Sequence, residues 1–215
     1  VFIHYDDVQY ARGFYNRVQV KTESGSKWMT VPLRGHRRGQ RIDEVLVDNR
    51  TDWRSQHKDI LKQAYLNAPH RDEMLSLVDK VFSKKIYTLQ DISRESTIAL
   101  ARYFNICNDT EFLDSSNMRV QGASSQRLHD LCVAVEADRY ITGHGAKNYL
   151  DHELFERSKI KIEYMDYKML PYSQLYSGFN PYVTALDLVA NCGKKGGEVI
   201  CSTSVYWKEF LNESS

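Results

Sequence analysis

Apolar and polar positions along the chain change period several times, and each change marks an element. Residues 1–5 open on Val1-Phe2-Ile3, a short buried strand that runs into the polar cluster Asp6-Asp7-Val8-Gln9. Arg17-Val18-Gln19-Val20-Lys21 and Lys27-Trp28-Met29-Thr30-Val31 then alternate with period two. The turn-forming Glu23-Ser24-Gly25-Ser26 between them predicts an antiparallel hairpin. Val45-Leu46-Val47 reads as a further short strand. Residues 52–66 and 70–85 read as helices broken at Pro69, and a third helix over 91–104 starts near the potential caps Asp91 and Ser93.

Beyond residue 110 the pattern becomes more regular. Thr110 to Leu113 predicts a strand, and Leu128, Leu131, Cys132 and Val135 then fall on one face of a helix. Arg139-Tyr140-Ile141-Thr142 is the next strand, Gly143-His144-Gly145 leads into a helix through Asn148, Leu150, Leu154 and Phe155, and Ile160 to Tyr164 is the final strand. Strands separated by helices imply parallel pairing with helical crossovers. The expected fold class is α/β: an open, mostly parallel sheet with an antiparallel hairpin insertion near the N-terminus. No repeat, low-complexity tract or linker interrupts the chain, so one domain is expected over residues 1–215.

Composition narrows the partners. A chain of 215 residues that is 42% hydrophobic can bury one sizeable core, and 29 basic against 28 acidic residues leave a net charge of +1. That charge supplies no global field for nucleic acid or an anionic membrane, so such a partner would need a local patch. Arg34, Arg37, Arg38 and Arg41, with His36, form one such patch around Gly35 and Gly39. It reads equally as an anion-binding loop or a solvated surface loop. The patch is short, with no basic helix or aromatic platform to match, and nucleic acid is not expected. No apolar run reaches the ~18 residues of a membrane span. Cys107, Cys132, Cys192 and Cys201 match no zinc or redox spacing and suit a reducing cytoplasm. The chain begins at Val1 without Met, so an upstream segment is expected.

Ligands in open α/β sheets bind beyond the carboxyl ends of the strands. Four expected strand ends are polar or small: Asp6-Asp7, Ser115-Ser116, Thr142-Gly143-His144 and Asp166-Tyr167. Turns favour the same residues, which accounts for any one cluster, but all four together point toward a site. Gly143 to Lys147 can offer backbone N–H groups and a cation to phosphate, or form a plain tight turn with an exposed lysine. Asp6 or Asp7 can serve as a general base; alternatively Asp6, Asp7 and Asp166 can ligate a hard cation such as Mg²⁺. Tyrosine is abundant, 14 in all, and Tyr164, Tyr167, Tyr172, Tyr176 and Tyr182 crowd the last third, suited to sugars, to nucleobases or to packing. The sequence does not identify a cofactor.

Several segments carry a wider likeness: Asp6-Asp7-Val8-Gln9-Tyr10, Asn16-Arg17, Lys21 with Gly25, Trp28 to Pro32, Trp53 with His57, and Tyr65 with Ala68-Pro69. Further on stand Arg127-Leu128, Tyr140-Ile141-Thr142-Gly143, Ala146-Lys147, Tyr149-Leu150-Asp151, Tyr164 with Asp166-Tyr167, Tyr172 with Gln174, and Asp187 with Asn191-Cys192-Gly193. In this order and spacing the chain resembles the WbqC-like family, as far as about Gly193. The family's opening Gln-Pro and aromatic-Leu-Pro-Trp segment has no match here, and His144 stands where the family carries proline or another small residue. The resemblance implies a setting in genes for O-antigen and other surface polysaccharides. The expected function is group transfer to a nucleotide-linked or activated sugar; the alternative is a non-catalytic partner of a polysaccharide assembly complex. The catalytic candidates are Asp6, Asp7 and Asp166. Those for holding the substrate are Gln9, Asn16, Arg17, Lys21, His57, Gly143, Lys147, Tyr172 and Gln174, with no metal. Asp7, Arg17, Gly143 and Lys147 are expected to line one concave site.

Overall fold

The computed structural model describes residues 1–213. In chain order the first strands are β1 (Phe2–His4), β2 (Arg17–Thr22), β3 (Gly25–Thr30), β4 (Leu33–Arg34) and β5 (Leu46–Val47). Three helices follow, α1 (Trp53–Ala64), α2 (Arg71–Phe82) and α3 (Leu89–Tyr103). Then come β6 (Phe112–Asp114), α4 (Ser124–Ala134), β7 (Arg139–Thr142), α5 (His152–Arg157) and β8 (Lys161–Met169). The last elements are α6 (Ala185–Cys192), β9 (Ile200–Tyr206) and α7 (Trp207–Glu213).

The fold is α/β, but among the described residues the strands form four small sheets rather than one open sheet. β1 pairs β6 in parallel, β7 pairs β8 in parallel, and β2–β3 is the expected antiparallel hairpin. The remaining pairs, β4–β5 and β8–β9, are antiparallel. β9 accounts for the largest difference from expectation. Its pairing from Tyr206 against Glu163 to Ile200 against Met169 carries β8 five residues past Tyr164, so Asp166 lies inside a strand and not at its end. The helix expected directly after Gly143 is also divided. A 3-10 turn (His144–Asn148) comes first, and α5 starts afresh where Asp151 accepts the Leu154 N–H at 3.1 Å.

The chain divides into two compact units. The smaller comprises Val1–Tyr5, Glu111–Met169 and the residues from Ile200 onward; the larger comprises Asp6–Thr110 and Leu170–Val199. Because the chain passes back and forth between them, no Pro/Gly-rich linker marks a boundary.

In the smaller unit Phe155, Ile162 and Tyr164 are fully buried and pack with Cys132, Ala146, Leu150 and Ile160. Tyr140 stacks on Phe155 at 5.4 Å and Phe210 on Tyr164 at 4.3 Å. The core of the larger unit centres on Trp53, Val45 and Leu89. Its helices present apolar faces at helical spacing, as with Trp53, His57, Leu61 and Ala64 of α1. α3 starts two residues earlier than its expected caps, because Thr88 accepts the Asp91 N–H while Asp91 Oδ2 accepts the Thr88 N–H.

Among the described residues no helix is long and apolar enough to cross a membrane. Phe155 gives a direct stability test: Phe155→Ala removes a fully buried ring and should cost about 3–5 kcal/mol. Urea unfolding measures this, and a cost near zero would show that this core is not closed.

Candidate functional site

In the larger unit the β2–β3 hairpin carries two of the candidate residues, Arg17 and Lys21, and Lys21 brings two more, Tyr172 and Gln174, to it. Alternation along β2 fails at its end: Val20 is fully buried, and so, at 5% exposure, is the next residue, Lys21. The Lys21 ammonium donates to Gln174 Oε1 at 3.1 Å, to the Tyr176 carbonyl at 3.4 Å and to the Gly178 carbonyl. Three acceptors match its three protons, which offsets the cost of taking the charge out of water. Two more bonds fasten the same loop to the hairpin, from Thr184 N to the Gln19 carbonyl at 2.7 Å and from Asn180 Nδ2 to Ser26 Oγ at 3.0 Å. Tyr176 Oη ties it to α1 by donating to the Ala64 carbonyl at 2.9 Å.

The network continues inward. Gln174 Nε2 donates to Tyr172 Oη at 3.0 Å, and Tyr172 Oη donates to Asp187 Oδ1 at 2.9 Å. Asp187 is fully buried at the start of α6. Asn191 Nδ2, one helical turn later, donates to the Asp187 carbonyl at 2.8 Å and to Oδ1 at 3.2 Å. The Tyr65 hydroxyl lies beside this carboxyl, yet both it and Asp187 Oδ2 are buried without a hydrogen bond of ordinary geometry. Burial pushes the Asp187 carboxyl above the usual aspartate range, against the opposing pull of Tyr172, Tyr65 and Lys21.

At its C-terminal end α6 forms one side of a cleft of about 880 Å³ lined by residues that include His70, Glu73, Lys80, Tyr103 and Cys192. Lys194 and Lys195 also reach it. The His70 N–H donates to the Ala190 carbonyl at 2.9 Å, which docks the start of α2 on α6. Gly193 makes this approach possible. Its φ of 58° and ψ of −148° suit glycine alone, and a Cβ there would come within 2.6 Å of His70 Nδ1. His70 Nδ1 lies 3.2 Å from Glu73 Oε1, and Tyr103 Oη donates to Glu73 Oε2 at 2.6 Å. The Tyr103 bond first, and His70 second, hold the Glu73 carboxyl below the usual glutamate range. An ionised Glu73 takes the Nδ1 proton of His70 in a hydrogen bond and leaves Nε2 free to accept another. Burial pushes the Cys192 thiol up, so it is not an activated thiolate.

The other candidates are distributed as follows. Asp6 is buried and accepts Gln90 Nε2 at 2.6 Å; Asp7 is half-buried and acts electrostatically on Arg41. Gln9 is exposed and bridges to Arg41 through its backbone. Asn16 is buried between the Tyr10 hydroxyl at 3.0 Å and the Val31 carbonyl at 3.2 Å. Arg17 lies over the Trp28 ring at 4.3 Å. His57 is buried with Nε2 3.0 Å from the Thr30 carbonyl, and desolvation lowers its pKa. Lys21, Tyr172 and Gln174 are brought together, as described. Gly143, Lys147 and Asp166 belong to the smaller unit, whereas Asp7 and Arg17 belong to the larger. There Gly143 accepts the Ala146 N–H at 3.1 Å, Lys147 is exposed, and Asp166 accepts Thr203 Oγ1 at 3.0 Å. Among the described residues no group of three or more His, Cys, Asp or Glu is placed to hold a metal ion. The residues that sequence reasoning passed over are His70, Glu73 and Tyr103. The lysine pair flanked by Gly193 and Gly196 was the available signal.

Asp187 yields a test with a definite sign. Its folded-state pKa is raised, so folding is penalised above that pKa, and the penalty is relieved as pH falls from it toward the ordinary aspartate value of about 4. Asp187→Asn removes the titration and should flatten stability against pH across that window. Urea midpoints at a series of pH values read this out; an unchanged pH dependence would show that Asp187 is not the group responsible.

Residues 1–199 match the model of the WbqC-like protein family. The chain is also 32% identical over 203 residues to the uncharacterized protein Rv1507c of Mycobacterium tuberculosis, covering 93% of this chain and 87% of that protein. No solved structure matches the chain at a significant level. The match over residues 1–199 takes in the hairpin, the buried Lys21–Asp187 network and the glycine at the cleft wall, and the chain belongs to the WbqC-like family.

Proposed function

We propose that the protein is a cytoplasmic group-transfer enzyme that modifies a nucleotide-linked or otherwise activated sugar for a surface polysaccharide. The observation that carries this reading is the cleft of about 880 Å³, in which a histidine oriented by a carboxylate shares one concavity with Lys80, Lys194 and Lys195. The volume suits a ligand of nucleotide-sugar size. The lysines attract the phosphates of the donor. His70 Nε2 removes a proton from the acceptor hydroxyl or amine as that atom attacks the transferred group, and Glu73 stabilises the imidazolium that forms. The bond to the leaving group breaks with its electron pair, and His70 then releases the proton to that group or to solvent. His70 suits the base better than Asp6, whose carboxylate is buried and already bonded to Gln90. Lys21, Tyr172 and Gln174 contribute by positioning, since they hold α6 and its loop.

A second reading, the non-catalytic partner of an assembly complex, draws on a different observation. Ile141, Met165, Tyr167 and Met169 share one face of β7–β8 and are all 40% exposed or more. That reading predicts no turnover with any donor.

Calorimetry with a panel of nucleotide sugars separates the two. Under the enzymatic reading at least one donor binds, Lys194→Ala with Lys195→Ala weakens it, and His70→Ala lowers turnover about 10²–10⁴-fold while binding persists. A silent panel, or full turnover in His70→Ala, would overturn it.

A further inference from the structure

Charge is unevenly spread along this chain of net +1: residues 8–42 hold eight basic residues and a single acidic one, Glu23, although Lys21 is buried and Arg41 is ion-paired with Asp43 and Glu44 just beyond the segment. The fold gathers part of this excess on one surface of the larger unit. The arginine loop folds back on the segment that follows β1, through Tyr10 N to the Gln40 carbonyl at 2.8 Å and Ile42 N to the Val8 carbonyl at 3.0 Å. Tyr10 sits at the junction, its ring 4.8 Å from His36 and 6.4 Å from Tyr15. Arg12 and Arg17 both act electrostatically on its hydroxyl. Arg17 lies over Trp28, and Trp28 is 5.9 Å from Phe14. Arg12, Arg37 and Arg38 are exposed and form no ion pair among the described residues.

Aromatic residues tip this surface. Phe14 is 72% exposed, Tyr15 49% and Trp28 40%. A phenyl ring left in water at a turn beside unpaired arginines has an unfavourable free state that an amphipathic, anionic interface would relieve. We propose that this surface docks on an anionic lipid bilayer, with Phe14 and Trp28 entering the headgroup region and the arginines meeting lipid phosphates. Charge complementarity and the aromatic tip together select that occupant. Single-stranded nucleic acid fits less well, because successive bases need open ring faces. Here Arg17 already covers Trp28, and Tyr10 is buried. The inference stands apart from the cleft and its chemistry.

Vesicle sedimentation of the full chain tests it. Vesicles of equal parts phosphatidylcholine and phosphatidylglycerol should carry the protein down at low ionic strength, pure phosphatidylcholine should not, and added salt should release it. Arg37→Glu with Arg38→Glu should lower partitioning about 10-fold or more, and Phe14→Ser should lower it several-fold, with thermal unfolding unchanged in both. The proposal is overturned by absence of sedimentation with the anionic vesicles or by equal partitioning of all variants. Binding to a single-stranded oligonucleotide without binding to vesicles would overturn it too, and would assign the surface to nucleic acid.

Discussion

A lysine ammonium buried at the end of a β-strand must find three acceptors, and in the larger unit that requirement organises everything C-terminal to residue 170. Lys21 draws in Gln174 and the carbonyls of Tyr176 and Gly178, which fixes the loop against the hairpin. Gln174 in turn sets Tyr172 on Asp187, and Asp187 with Asn191 fixes the first turns of α6. The end of that helix receives His70 through the Ala190 carbonyl and through the absence of a side chain at Gly193. The cleft is therefore shaped by a buried charge with which it shares no lining residue. Removing one member of such a network is costly, on the order of 3–5 kcal/mol, because the others are left buried and unpaired.

This arrangement also gives the residues around the cleft distinct physical tasks. Lys21, Tyr65 and Asp187 are buried, and the half-buried Tyr172, Gln174 and Asn191 link Lys21 to Asp187 and to the backbone around them. Gly193 supplies a conformation and a close approach. His70 and Glu73, by contrast, face solvent in the cleft, with side chains 38% and 49% exposed. Under the proposed function, chemistry falls to the second group, and the first holds it in place.

Local patterns were legible in the sequence; long-range pairings were not. β7 runs over Arg139–Thr142 as expected, and the hairpin forms where expected with its turn tightened to Glu23-Ser24, because both depend on neighbours a few residues away. β9 had no such signal. Its Cys201-Ser202-Thr203-Ser204 stretch is polar, and its pairing with β8 alone turns Asp166 from a strand end into a strand interior. Lys21 reads from the sequence as a residue that holds the substrate, and its burial follows from acceptors far along the chain, Gln174 among them, 153 residues away. His70 and Glu73 are three residues apart and read as the start of a helix; that they face a cleft depends on α6 packing against them. Among the described residues four small sheets stand where one was expected, and the parallel pairing of β1 with β6 spans the whole of Asp6–Thr110, a separation no local pattern announces.

The most direct test of the central claim is amide hydrogen exchange in Lys21→Met. If the buried ammonium holds the loop and, through α6, the cleft wall, exchange should accelerate by about an order of magnitude or more over residues 174–180. The acceleration should extend to the backbone of Gly193–Val199, while α3 and the smaller unit keep their protection. Unchanged exchange at Gly193–Val199 in a folded Lys21→Met protein would contradict the account.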